Sequence, residues 1–338
     1  MFSLAIILVV LLALSFDFIN GFHDTANSIA TTVSTRVLPP RVAIIMAATL
    51  NFVGALASEN VAKTISSGII AKDSIDTEAF QYVVMATLIA AIIWNLITWK
   101  KGLPSSSSHA LIGGLIGASI AFSGSLNVVE WFGVLKKVII PLFASPVLGF
   151  FIAFVFMKFL YFILKGLSQK TVNKGFSKLQ ILSAGFMAFA HGSNDAQKSM
   201  GIITLALVAG GYLANDAGIP LWVKLGCAVA MGLGTSIGGW RIIKTMGVNM
   251  IRLQPIGGFA AETSAAIVIE TASQLGMPLS TTHVISTSIM GVGAAKRTSA
   301  VRWLIAKSIV GAWILTIPIT VIIGAIITLL LKGFTIGF

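Results

Sequence analysis

One cysteine, Cys227, is too few for an intramolecular disulfide, so neither an oxidised staple nor a thiol pair is available; within a long apolar run it reads as a small packed side chain. Acidic residues are scarce, 11 against 23 basic, and charged residues make up 10% of the chain. A soluble domain carries about a quarter. The four histidines form no pair with HExxH spacing, which argues against a zinc site and for hydrogen-bonding buttresses. The first apolar run starts at Met1 with no basic segment ahead of it and no small-residue cleavage pattern before Asp17; it reads as a retained span. No low-complexity tract is present, and the polar loops at 72–78 and 215–220 are too short for a catalytic domain.

Apolar residues fill the remainder: 56% of 338, with mean hydropathy +0.95. Runs near or above the ~20 residues that cross a bilayer lie at 1–16, 42–58, 82–99, 138–164, 221–240 and 305–331. They are too long for the alternating strands of an outer-membrane barrel. The expected fold is an all-α polytopic membrane protein of about ten to twelve spans, counting broken helices and helical hairpins. The net charge of +12 is dispersed in short loops, as the positive-inside rule requires, and surrounds no nucleic-acid-binding module. Lys158, Lys165, Lys170, Lys174 and Lys178 mark a basic cytoplasmic connector, 165–178, between repeats at 1–164 and 179–338.

The repeats carry matching polar motifs. Asn20-Gly-Phe-His23-Asp24-Thr-Ala-Asn27 corresponds to His191-Gly-Ser-Asn194-Asp195-Ala-Gln197-Lys198, and Pro104-Ser105-Ser106-Ser107-Ser108-His109 to Pro278-Leu-Ser280-Thr281-Thr282-His283. Such doubling points to a transporter with its site between two inverted repeats, both termini then sharing one face. Asp24 and Asp195 are costly in an apolar segment, and with amide and carbonyl neighbours they suit Na⁺ or a transported proton. Gly21 and Gly192 are expected to interrupt their helices and free carbonyls for an ion. Both Ser/Thr runs follow a Pro and open an apolar segment, so each is a helix start whose N–H groups and hydroxyls fit a small oxyanion; simple N-capping is the competing reading.

Lys198, in the place of Asn27, either meets the anion or pairs with Asp195 three residues earlier. Glu262, after Gly257-Gly258, is a further candidate for a cation or coupling role, whereas Glu59 is positioned to pair with Lys63. Gly234-Thr-Ser236-Ile-Gly238 matches a hydrolase elbow but sits in an apolar run, where small-residue helix packing is the better reading; the chain is not expected to be an enzyme.

Together the paired motifs resemble the inorganic phosphate transporter (PiT) family of sodium-dependent phosphate symporters, over essentially the whole chain. The resemblance implies an inverted-repeat bundle, commonly a homodimer, importing inorganic phosphate with a coupling cation by alternating access and needing no cofactor. By position, Asp24 and Asp195 become sodium residues with His23, Asn194 and Glu262 as further cation candidates. Asn27, Gln197, Lys198, Ser105 to Ser108 and Ser280 to Thr282 fall near phosphate. H⁺-coupled metal-phosphate or sulfate symport and an anion channel stay open. The chain departs from animal relatives in lacking a large central hydrophilic domain, which points to the plasma membrane of a prokaryote.

Overall fold

The computed structural model describes residues 3–65, 77–214 and 217–336; most of the 72–78 loop and the start of the 215–220 loop lie outside them. Among the described residues there is no strand. The helices are α1 (Leu4–Ser34), α2 (Pro40–Ala55), α3 (Asn60–Ile65), α4 (Thr77–Lys101), α5 (Ser107–Ser123), α6 (Trp131–Val134) and α7 (Ile140–Ile163). They continue with α8 (Gln169–Ala209), α9 (Leu221–Ile237), α10 (Trp240–Lys244), α11 (Pro255–Gln274), α12 (Thr281–Lys296) and α13 (Trp303–Ile336). Residues 169–178 of the basic stretch form the first turns of α8.

Polarity is inside out relative to a soluble protein. Leu4, Ile45, Phe143, Phe162, Leu304 and Ile314 are exposed, while Asp17, Asn20, His23, Asp24, Asn27, His191, Asp195 and Lys198 are buried. This is the distribution of a multi-pass membrane protein, whose outer surface meets lipid tails. Among the described residues, four helices can span a bilayer by length and composition, or five when α9 and α10 count as one span bent by 60°. The bend falls at Gly238, whose φ of 78° lies in the left-handed region.

Helix order repeats: α1 to α5 find counterparts in α8 to α12, and α6–α7 in α13. Packing between the halves exchanges in the same way. α1 packs on α9 as α8 does on α2, and α5 packs on α13 as α12 does on α7. Asp17 meets Ser199, Asn20 meets Asp195 and Thr35 meets Gln180, so numbers rise along α1 as they fall along α8 and the two helices are antiparallel.

One expectation is overturned. α1 runs unbroken through Gly21 and α8 through Gly192. A Cβ at Gly21 would stand 2.5 Å from the carbonyl oxygen of Met231 and 3.0 Å from Gly234 Cα; one at Gly192 would strike the Asn51 carbonyl. These glycines let α9 and α2 lie against α1 and α8 at backbone contact, and helix packing, not helix interruption, is what they provide. Gly234 belongs to the same contact, and Ser236 is exposed with its hydroxyl on the Leu233 carbonyl. The Gly234–Gly238 motif therefore serves packing.

Candidate functional site

Because α1 is continuous, its polar residues form a stripe at three- and four-residue spacing: Asp17, Asn20, Asp24, Asn27 and Thr31, all buried. α8 presents His191, Asp195 and Lys198 at the same spacing. Asp24 and Asp195 come together where the helices cross.

Three lone-pair atoms converge there. Asp24 Oδ2, Asp195 Oδ2 and one ring nitrogen of His191 lie within 4.8 Å of one another, with His191 Nε2 3.9 Å from Asp24 and 3.5 Å from Asp195. The surrounding hydrogen bonds fix the histidine tautomer. Thr235 Oγ1 donates to the Met231 carbonyl and accepts from Asn51 Nδ2 at 3.0 Å, so Asn51 turns its oxygen to His191 Nδ1, also at 3.0 Å. Nδ1 then carries a proton, and Nε2 is the ring nitrogen that faces the two carboxylates. Such a pocket is satisfied by a positive charge, a cation or a proton.

Each carboxylate has a basic neighbour. Asp24 Oδ1 lies 2.5 Å from His23 Nδ1, whose Nε2 is 3.0 Å from Thr98 Oγ1; Lys198 Nζ lies 2.6 Å from Asp195 Oδ1. The pairing of Lys198 with Asp195 read from their spacing is present.

Both predicted helix starts are where the sequence puts them. Ser106 and Ser280 are the N-caps of α5 and α12, accepting from the amides of His109 at 3.2 Å and His283 at 3.3 Å. That satisfies the capping reading and leaves the other hydroxyls free for different work. Thr281 donates to Asp195 Oδ2 and Thr282 to Asp24 Oδ2, each at 3.3 Å, and Asn27 Nδ2 donates to Thr282 Oγ1 at 3.0 Å. On the α5 side, Ser107 accepts from Asn95 Nδ2, Ser105 donates to Thr98, and Ser108 donates to the Leu279 carbonyl ahead of α12. The His109 and His283 rings are 4.9 Å apart, so the starts face each other across the centre, and Trp313 Nε1 holds the Pro104 carbonyl at 3.0 Å.

Three candidates lie apart from this cluster. Asn194 donates to Ser273 Oγ of α11 at 2.9 Å, and Gln197 Oε1 accepts from the Val61 amide at 2.8 Å, capping α3. Glu262 takes hydroxyl bonds from Thr31, Thr32 (2.7 Å) and Ser183 (2.5 Å) and an amide bond from Gln180 at 3.1 Å. Thr31 stands two turns beyond Asp24, so the Glu262 network closes that end of the core, roughly 10 Å away along the helix. At the opposite end a cavity of ≈ 40 Å³ reaches Lys198 and Ser108 between Thr64, Thr87 and Pro278. The sequence reading passed over Asn51 and treated His191 only as a buttress.

Outside the core, Glu59 in the α2–α3 loop holds Lys224 of α9 as well as Lys63, 3.7 Å away. The Lys224 ammonium beside it keeps the Glu59 carboxyl below the ordinary glutamate range.

Residues 20–324 match the model of the "Phosphate transporter family". A Bacillus subtilis protein described as a "Probable low-affinity inorganic phosphate transporter" is 48% identical over 320 residues, 95% of each chain. A Rhizobium meliloti protein of the same description is 46% identical over 315 residues, 93% of this chain and 92% of that one. The solved structure of "The sodium-dependent phosphate transporter" superposes with TM-score 0.87 at 26% identity, covering 98% of this chain and 99% of that one.

Proposed function

This chain belongs to the phosphate transporter family, and from that premise we propose that it is a secondary active symporter importing inorganic phosphate with Na⁺ by alternating access, in a prokaryotic plasma membrane. The family and its relatives are transporters, not enzymes. The observation that carries the cation site is the convergence of the Asp24 and Asp195 carboxylates and the His191 ring on one point. Na⁺ there, held by Asp24 and Asp195, compensates both carboxylates and releases the Thr281 and Thr282 hydroxyls. Phosphate then takes those hydroxyls, Ser107, Ser108, Asn27 and the Lys198 ammonium, between two helix N-termini whose dipoles favour an anion. Asn194 and Gln197 act as packing residues in this reading.

The order of binding follows from charge: two carboxylates face the centre and the Lys198 ammonium compensates one of them, so an anion is repelled until a cation arrives, and cation occupancy raises phosphate affinity. Inverted repeats are supported by the antiparallel course of the equivalent helices α1 and α8 and by the exchanged packing of the halves. The family resemblance supports a homodimer, to be read from the mass of the detergent-solubilised protein.

A second reading has one observation in its favour. An imidazole nitrogen between two carboxylates suits a divalent transition metal better than Na⁺, so the cargo would be a metal-phosphate pair. Labelled phosphate uptake into proteoliposomes, with Na⁺, pH and divalent-metal gradients imposed one at a time, decides. Stimulation by Na⁺ is the expected result; stimulation by the metal alone transfers the assignment to the second reading. Non-saturable flux would make the protein a channel, and competition by sulfate would widen the substrate to oxyanions.

A further inference from the structure

Two turns before Asp24 on the same face of α1, Asp17 is fully buried, and the cation pocket does not use it. Its Oδ1 accepts from Ser199 Oγ at 2.6 Å, while Oδ2 is buried with no hydrogen-bond partner. The Cys227 thiol lies alongside, and the charges bearing on it are Lys198 and Asp195 of α8. Around the same end, Lys224 of α9 and Lys63 of α3 are engaged with Glu59, and His109 of α5 faces His283. α4 carries Glu78, Tyr82, Lys100 and Lys101 toward its ends. One hydroxyl and one sulfur are too few donors for a hard cation, which takes six or more oxygens. An ionised carboxylate in this apolar setting, without a cation of its own, is costly.

We propose that Asp17 is a second coupling site, taking up a proton from the cavity side and giving it up on the other. It rests on the phosphate-transport reading and adds to it an ion that the Asp24–Asp195 pocket does not hold. The link to that pocket is Lys198, one residue before Ser199 and paired with Asp195. With Asp17 protonated, Lys198 stays on Asp195 beside the phosphate hydroxyls. When Asp17 gives up its proton, the new carboxylate competes for the same ammonium, draws it from Asp195 and loosens the phosphate site. Proton release and phosphate release are thereby tied through one side chain. The distribution of groups fits this division: Asp195, Lys198 and Ser199 follow one another on α8, while the α1 partners of Asp195 and Ser199 are Asn20 and Asp17.

The test uses purified full-length protein in proteoliposomes at fixed Na⁺. Phosphate exchange at equal pH is compared with net uptake driven by an inward pH gradient, for the unaltered chain, Asp17→Asn and Asp17→Glu. Asn is isosteric with the protonated acid and keeps an oxygen for Ser199. Asp17→Asn is expected to retain exchange while its stimulation by the pH gradient falls to ~1, the value for no coupling. Asp17→Glu is expected to restore a stimulation above one. Equal stimulation in Asp17→Asn and the unaltered chain overturns the proposal. So does an unaltered chain that exchanges phosphate yet ignores the pH gradient, a result that decides even if Asp17→Asn fails to accumulate and that leaves phosphate transport standing. An unaltered chain with no exchange overturns the transport reading and this proposal together.

Discussion

Thr282 of α12 donates its hydroxyl to Asp24 of α1 at 3.3 Å, so an anion-type helix start is hydrogen-bonded directly to a carboxylate. Its counterpart Ser108 donates instead to a backbone carbonyl, that of Leu279. One helix start thus bonds the two carboxylates directly, while the other reaches Asp24 only through His23, whose Nε2 is 3.4 Å from Ser105 Oγ. In the proposed cycle, arrival of a cation at Asp24 weakens the hold on Thr282 and frees its hydroxyl for substrate.

Thr282→Val removes the proposed phosphate donor without adding charge. A lost hydrogen bond to a charged group is worth about 1.5–3 kcal/mol, or roughly 10- to 150-fold in affinity. Initial uptake rates against phosphate concentration should show KM rising by that order with kcat changed less.

Asn51 fixes the histidine that faces both carboxylates. Asn51→Ala should free His191 to turn or to change tautomer, and outer-shell partners of a metal ligand typically contribute 10- to 100-fold in metal affinity. The cation concentration for half-maximal uptake should rise by about that factor at saturating phosphate. An unchanged cation dependence would remove His191 from the site.

Lys198 and Asp195 are both buried and 2.6 Å apart. Breaking such a pair strands a charge and costs about 3–5 kcal/mol. Lys198→Met should lower the melting temperature of the detergent-solubilised protein markedly, and adding Asp195→Asn should recover much of the loss without restoring uptake.

Gly21→Ala places a methyl group 2.5 Å from the Met231 carbonyl and should destabilise by about 1–3 kcal/mol through overpacking. Gly175→Ala, in α8 with open space around it, should be neutral or stabilise by about 0.5–1 kcal/mol through helix propensity. Thermal unfolding of the two variants separates packing from chain stiffness.

Glu59 and Lys224 join the α2–α3 loop to α9. Because the folded carboxyl is held below its unfolded value, the stability it contributes is present above about pH 4.3 and is lost as pH falls through the folded value. A half-exposed pair of this kind contributes at most ~1 kcal/mol. Glu59→Gln should flatten that small acid dependence of thermal stability, losing up to ~1 kcal/mol at neutral pH and converging with the unaltered chain at acid pH.

Much of the site was legible because the motifs are doubled. Asp24, Asp195, Thr281 and Thr282 were singled out by repeat position alone and meet at one point. What escaped has one physical root. Gly21 and Gly192 were read as helix breakers, and a motif unwound around its Asp turns every polar neighbour toward the ion. On a continuous helix each residue is rotated by about 100°, so Asn194 and Gln197 leave the Asp195 face while His191 and Lys198 stay on it. The same rotation puts Asp17 under Asp24, a relation hidden when the first apolar run was taken to end at Phe16. Whether a glycine breaks a helix or admits a neighbour depends on a partner some 200 residues away in sequence, as Met231 is for Gly21.

The pairing of α5 with α13 bears on how the protein is made. α5 starts at the proposed substrate centre and its long packing partner is α13, the last described helix, joined through Gly113 and Gly117 against Thr320 and Val321. During synthesis the first half therefore enters the bilayer with this flank of α5 open, its serine-rich start held only by Asn95 and Thr98 of α4. It must be kept from misassembly until translation finishes. A ribosome stalled before Trp303 would leave a membrane intermediate that quality-control proteases can recognise, and defects in α13 would be expressed first as failed biogenesis rather than as slow transport.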